Sequence, residues 1–171
     1  MRFRKLALSC KNIMDQKAFY TQVLGLPLKA ESSKGFKIQA GVTELHLRHS
    51  EAFRPYHFAF NISSFQEKEA LAWLLERVSI LPFEGEDLVD FRGWNAWSLY
   101  FYDADNNIVE FIARRNLGLA SELPFGSHAI HEVSEIGLPV SDVSSAFRQI
   151  NQKLGVPKFD GNFERFCAIG G

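Results

Sequence analysis

Three times along this chain of 171 residues a short run of alternating apolar residues leads into a helical stretch, and no other feature restricts the fold as much. Lys5–Cys10 precedes a helix over 15–24, which Gly25 stops, and His57–Ile62 precedes a helix over 66–78. Residues 135–140 precede a third helix over 143–154, stopped by Gly155. Aligned on their strands, Lys5, His57 and Glu135 share the first position. Asn12, Ser64 and Asp142 share a polar position at the helix entrance, where Ser64 and Asp142 have the chemistry of N-caps.

Alternation divides each opening strand into two faces. Leu6, Leu8 and Cys10, then Phe58, Phe60 and Ile62, then Ile136, Leu138 and Val140 form an apolar face for the following helix. The other face carries Lys5, Ala7 and Ser9, then His57, Ala59 and Asn61, then Glu135, Gly137 and Pro139. Further strands read at 35–40 and 42–48, and at 87–91, 97–102 and 108–113. In them Thr43, Leu45 and Leu47 oppose Glu44, His46 and Arg48, while Val109 and Phe111 oppose Glu110 and Arg114. The expectation is an α+β fold of paired βαβββ modules, a curved mixed sheet around a polar cavity with helices on its convex side. The modules are expected at 1–50 and 51–116, followed by a linker at 117–126 and a partial third module at 127–171.

Residues 98–114, SLYFYDADNNIVEFIAR, read as a strand, a tight acidic turn and a second strand that contains Glu110. A carboxylate on a largely buried strand costs several kcal/mol unless a cation, a metal or a proton compensates it, so a partner for Glu110 is expected.

Composition narrows the partners. With 46% hydrophobic residues the chain can bury a substantial core, and a net charge of -1 supplies no basic patch for nucleic acid or for a membrane surface. No segment approaches the roughly 20 apolar residues of a membrane span, and the apolar run of the N-terminus is too short for a signal peptide. Cys10 and Cys167 lack metal-ligand spacing and read as free thiols. The expectation is a cytoplasmic protein that meets small molecules or copies of itself.

Two motifs carry a family resemblance. AFYTQVLGLPL at 18–28 and YFYDADNNIVEF at 100–111 resemble the helix exit and the hairpin of the vicinal oxygen chelate superfamily. That superfamily includes glyoxalase I, fosfomycin-resistance transferases, bleomycin-resistance proteins, methylmalonyl-CoA epimerase and extradiol dioxygenases. The resemblance covers residues 4–115 and implies two modules whose concave face holds a divalent cation through the positions of Lys5, Glu44, His57 and Glu110. Lys5 departs from the pattern, because an ammonium group has no lone pair to offer a metal.

Two readings follow from the resemblance. In the first, Glu44, His57 and Glu110 hold Zn, Ni, Mn or Fe(II), with His46 as a substitute ligand. Glu110 and Glu44 are then catalytic, Lys5, Arg48 and Trp97 bind substrate, and the enzyme is a lyase, an isomerase or a ring-cleaving dioxygenase acting on vicinal oxygens. In the second, Lys5 replaces the metal charge and the protein binds small molecules in the manner of bleomycin-resistance proteins. Because such modules work in pairs, a homodimer is expected.

Overall fold

A computed structural model describes residues 2–170, which divide into two compact units, Arg2–Gly137 and 138–170. In the first unit the order is β1 (Lys5–Cys10), α1 (Ile13–Ala18), β2 (Leu28–Ser32), β3 (Gly35–Ala40) and β4 (Thr43–His49). The same pattern returns as β5 (His57–Ile62), α2 (Glu67–Leu75), β6 (Val89–Phe91), β7 (Ala96–Tyr102) and β8 (Ile108–Arg114), and β9 (Ile130–Ile136) follows. One sheet has the order β1-β4-β3-β2 and the other β6-β7-β8-β5-β9. In each module the opening strand lies parallel to the closing one, and the remaining pairs are antiparallel, so both sheets are mixed.

The apolar faces meet in one core. Leu8, Tyr20, Phe36 and Leu45 from the first module join Phe58, Phe60, Phe101 and Phe111 from the second, all but fully buried. Burying a large apolar side chain of this kind contributes about 1.5–3 kcal/mol, and edge-to-face contacts such as Phe101 on Phe111, with centroids 5.1 Å apart, add to it.

The acidic turn between β7 and β8 fastens the modules together. Asp103 accepts from the buried Tyr20 hydroxyl at 2.8 Å, from the Asn107 side chain at 2.8 Å and from the backbone N–H of Asp105 and Asn107 at 3.0 Å. Asp105 accepts from the N–H of Lys11 at 2.7 Å and of Asn12 at 3.2 Å, at the entrance to α1. Asn106 takes the left-handed conformation (φ 62) that closes the turn.

Several elements depart from the sequence reading. α1 runs only to Ala18 and continues as a π-helical turn over Phe19–Val23, which places Tyr20 inward. Asn12 caps α1 through Asp15 N–H at 3.3 Å, whereas Ser64 caps nothing. Its hydroxyl donates to Arg114 O at 2.7 Å and accepts from Leu119 N–H at 2.9 Å, and α2 starts beyond it at Glu67. The expected linker is packed down, with Phe125 against Trp73 at 5.6 Å.

The third opening strand lies earlier than expected, at Ile130–Ile136. It ends where Gly137 N–H donates to His57 O at 2.7 Å, two residues before Pro139, which has no N–H to continue a ladder. β9 runs antiparallel along the edge of β5, with Ala59 opposite Glu135 and Asn61 opposite Glu132. Glu135 therefore sits near the end of its strand and does not share the position of Lys5 and His57.

The second unit contains α3 (Val143–Leu154) and the hairpin of β10 (Lys158–Gly161) with β11 (Cys167–Ile169). Asp142 caps α3 through Ser145 N–H at 2.7 Å, as expected, and Gly155 ends it at φ 67. Phe147 of α3 packs on Phe163 at 5.2 Å. Among the described residues no helix is long and apolar enough to cross a membrane.

Candidate functional site

The polar face of the second sheet gathers the reactive side chains. β5 presents His57, Ala59 and Asn61, β8 presents Glu110 and Arg114, and β7 presents Ser98 and Tyr100, because alternate residues share a face. β9 adds Glu135 across Ala59 from Glu110. Small residues keep the floor low. Ala59, Ala96 and Ile112 form a buried patch beside Trp94, and a Cβ on Gly137 would stand 3.3 Å from the Cβ of His57.

The partner expected for Glu110 is His57. Its Nε2 lies 3.0 Å from Glu110 Oε2, with the carboxylate side chain 7% exposed and the imidazole 37% exposed. The Tyr100 hydroxyl also bonds Glu110, and burial followed by that carboxylate pushes its pKa well above the ordinary phenol range. A second pair lies alongside. Arg114 bonds Glu135 through Nη2 and Asn61 Oδ1 through Nε at 3.1 Å, and Asn61 in turn donates to Glu132 at 3.0 Å. Burial raises the Glu135 pKa, the Arg114 guanidinium opposes that rise, and the Glu110 carboxylate adds to it.

Glu44 belongs to the other sheet. Its carboxylate accepts from Lys37 Nζ at 3.2 Å, opposite Lys5 in the β1–β4 register, and the bond from Lys37 lowers its pKa. His46 and Arg48 share that face, where Arg48 Nε donates to His46 Nδ1 at 3.1 Å. Burial first, and then Arg48 and Lys37, hold the His46 pKa down. Of the expected ligand set the structure thus brings together His57 and Glu110 and leaves Glu44 beside two ammonium groups, an unfavourable place for a metal ion. Among the described residues no three His, Cys, Asp or Glu side chains are grouped to hold one.

Trp97 faces away from the polar side of the second sheet. It alternates with Ser98 onto the face of Leu99 and Phe101 and packs against the main core. Lys5 and Arg48 lie on the first sheet, whereas the His57–Glu110 pair lies on the second. The sequence reading puts Arg114 on the face of Glu110 and Glu135 on the polar face with His57, but does not pair the two with each other. Their signal was present in the alternation of β8 and in the Glu-x-Gly spacing of Glu135 and Gly137, but only the antiparallel seat of β9 joins them.

A cleft of about 990 Å³ lies elsewhere, lined by Lys11, His49, Glu51, Phe53 and Asp105 among others. There His49 bridges Lys11 O and Glu51, each at 2.9 Å.

Comparison with solved structures places this architecture. An integron cassette protein from the mobile metagenome of Halifax Harbour Sewage Outfall is 23% identical at a TM-score of 0.58, over 65% of this chain and 97% of its own. Lactoylglutathione lyase from Agrobacterium tumefaciens is 17% identical at a TM-score of 0.55, over 64% and 91%. The fold is that of the vicinal oxygen chelate superfamily. A fosfomycin resistance protein from Listeria monocytogenes, solved with Mn(II) and a dihydroxypropylphosphonic acid, shares the vicinal oxygen chelate fold at 22% identity and a TM-score of 0.52, over 66% of this chain and 89% of its own. No family model matches the chain, and no curated protein matches it in sequence.

Proposed function

We propose that the polar face of the second sheet binds a small polar molecule directly, through His57, Glu110, Tyr100 and the neighbouring Glu135–Arg114 pair, without a bridging metal. The observation that carries this reading is the 3.0 Å bond between His57 Nε2 and the buried Glu110. An ionised carboxylate only accepts, so Nε2 carries the hydrogen and Nδ1 keeps its lone pair, in an imidazole that is 37% exposed. In this arrangement Glu110 orients the imidazole, and His57 accepts a hydrogen bond from the bound molecule through Nδ1. The free thiols Cys10 and Cys167 support a reducing compartment such as the cytoplasm.

The metal-dependent reading needs Glu44 to leave Lys37 and join His57 and Glu110. Metal analysis of protein offered Zn, Ni, Mn and Fe(II) separates the two. The direct-binding site predicts no stoichiometric metal in the wild type, together with small-molecule stabilisation in a thermal-shift screen that His57→Ala abolishes. Near-stoichiometric metal that Glu110→Ala releases would overturn it in favour of the Glu44, His57 and Glu110 chelate.

A further inference from the structure

The first sheet has a polar face of its own, laid out by the register of its strands. β4 places Glu44, His46 and Arg48 there, β1 adds Lys5, Ala7 and Ser9, and β3 adds Lys37 and Gln39. His46 stands at the centre. Ala7 lies opposite it on β1, Lys37 opposite it on β3, and Glu44 and Arg48 flank it along β4. Lys5, opposite Glu44, is its diagonal neighbour. Neighbouring strands lie about 4.8 Å apart and alternate residues about 7 Å apart, so the long side chains of Lys5, Lys37 and Arg48 all reach the space over Ala7. Ala7 is exposed and too small to fill that space. Three cations against the single carboxylate of Glu44 leave two positive charges in excess, in a chain whose net charge is -1.

The hydrogen bonds of this face leave it rich in donors. Glu44 already accepts from Lys37 Nζ at 3.2 Å. Arg48 Nε donates to His46 Nδ1 at 3.1 Å, which holds the guanidinium beside the ring and puts the imidazole hydrogen on Nε2. That bond uses one of the five N–H donors of Arg48, an exposed residue. We propose that this face binds a doubly charged phosphate group, free or as a monoester, over Ala7 and through Arg48, His46, Lys37 and Lys5. The excess of positive charge matches a dianion. The donors surround one small residue, which suits a single tetrahedral head, and a guanidinium offers paired N–H groups to two of its oxygens. The same cations repel a metal ion. Because the site lies on the first sheet and His57 and Glu110 lie on the second, this inference stands independently of the proposed ligand site.

Isothermal titration of the full chain with inorganic phosphate and with phenyl phosphate tests the site, at about pH 8, where both are mostly dianions, and at roughly 0.01 M ionic strength, where screening is weak. In water a unit charge about 6 Å from a dianion changes its affinity about tenfold. Arg48→Ala and Lys37→Ala should therefore each weaken a saturable one-to-one binding by about tenfold, and Glu44→Gln should tighten it by about as much. Lys153→Ala, which removes an exposed cation of α3, should leave it within about twofold. Tighter binding of phenyl phosphate assigns the site to monoesters and tighter binding of inorganic phosphate to the free anion, each in support of the proposal. No saturable binding of either probe would overturn it, as would equal weakening from Arg48→Ala and Lys153→Ala, or a Glu44→Gln variant that binds no more tightly. Succinate binding as tightly as phosphate would also overturn it. Should Arg48→Ala fail to fold, Lys37→Ala decides.

Discussion

Asp103 offers the sharpest test of how the two modules are joined. Its carboxylate, in a residue 5% exposed, accepts four hydrogen bonds, from the Tyr20 hydroxyl, the Asn107 side chain and two backbone N–H groups. Tyr20→Phe removes one of these and leaves the carboxylate three donors, a loss of about 1.5–3 kcal/mol for a bond to a charged acceptor. Asp103→Ala strands the Tyr20 hydroxyl inside the core and unties the turn whose Asp105 holds the N–H groups of Lys11 and Asn12. With buried donors costing about 1–3 kcal/mol each when unpaired, the expected loss is about 3–5 kcal/mol. The double variant should cost less than the sum, since a phenylalanine ring in place of the phenol needs no acceptor, giving a coupling of about 1–2 kcal/mol. Urea unfolding followed by near-ultraviolet circular dichroism measures all three, because the aromatic core reports on the first unit. A loss below about 0.5 kcal/mol for Asp103→Ala would refute the view that this turn clasps the modules.

Further outcomes are equally open to measurement. Gly41 has φ 52 and an added Cβ would stand 1.8 Å from His131 O, so Gly41→Ala should lower the melting temperature sharply by pushing β9 away from the β3–β4 turn. Glu135 has a raised folded-state pKa, so its contribution to stability is present at low pH and is lost as pH rises through that value. Glu135→Gln should therefore flatten the decline of stability as pH rises above the ordinary carboxylate value, and an unchanged profile would count against a raised Glu135 pKa. Burial raises the Cys10 pKa to about 11, so a thiol reagent at neutral pH should modify Cys167 alone until the protein is unfolded.

Most strands of both modules were legible in the sequence because burial of alternate side chains writes a period of two into the residues, whereas β2, exposed along its whole length, carries no such signal and was not read. The same signal misplaced the third opening strand. Ile136, Leu138 and Val140 alternate, whereas Ile130 and Val133 are three residues apart across an irregular register, and the deciding factors were Pro139 and the long-range bond from Gly137 to His57. Glu110 announced a partner, and His57 met it through the parallel register of β5 and β8. Glu44 shows where alternation stops being informative: it gives the face of a strand but not which sheet faces which, and Lys37 on the neighbouring strand had claimed the carboxylate. Ser64 looked like a cap because its chemistry suits one, but a hydroxyl serves any nearby carbonyl or N–H, and those of Arg114 and Leu119 were closer.

The central place of β5 also bears on how the chain reaches its fold during synthesis. Both neighbours of β5 come much later in the chain, β8 first and β9 last, so Phe58, Phe60 and Ile62 have no sheet partner until residues 108–136 have left the ribosome. Pairing over such separations is slow to close and leaves an apolar strand available to wrong partners. The second sheet should therefore be the late step of folding, and the part of the protein whose yield depends most on chaperones that cover β5 in the interval.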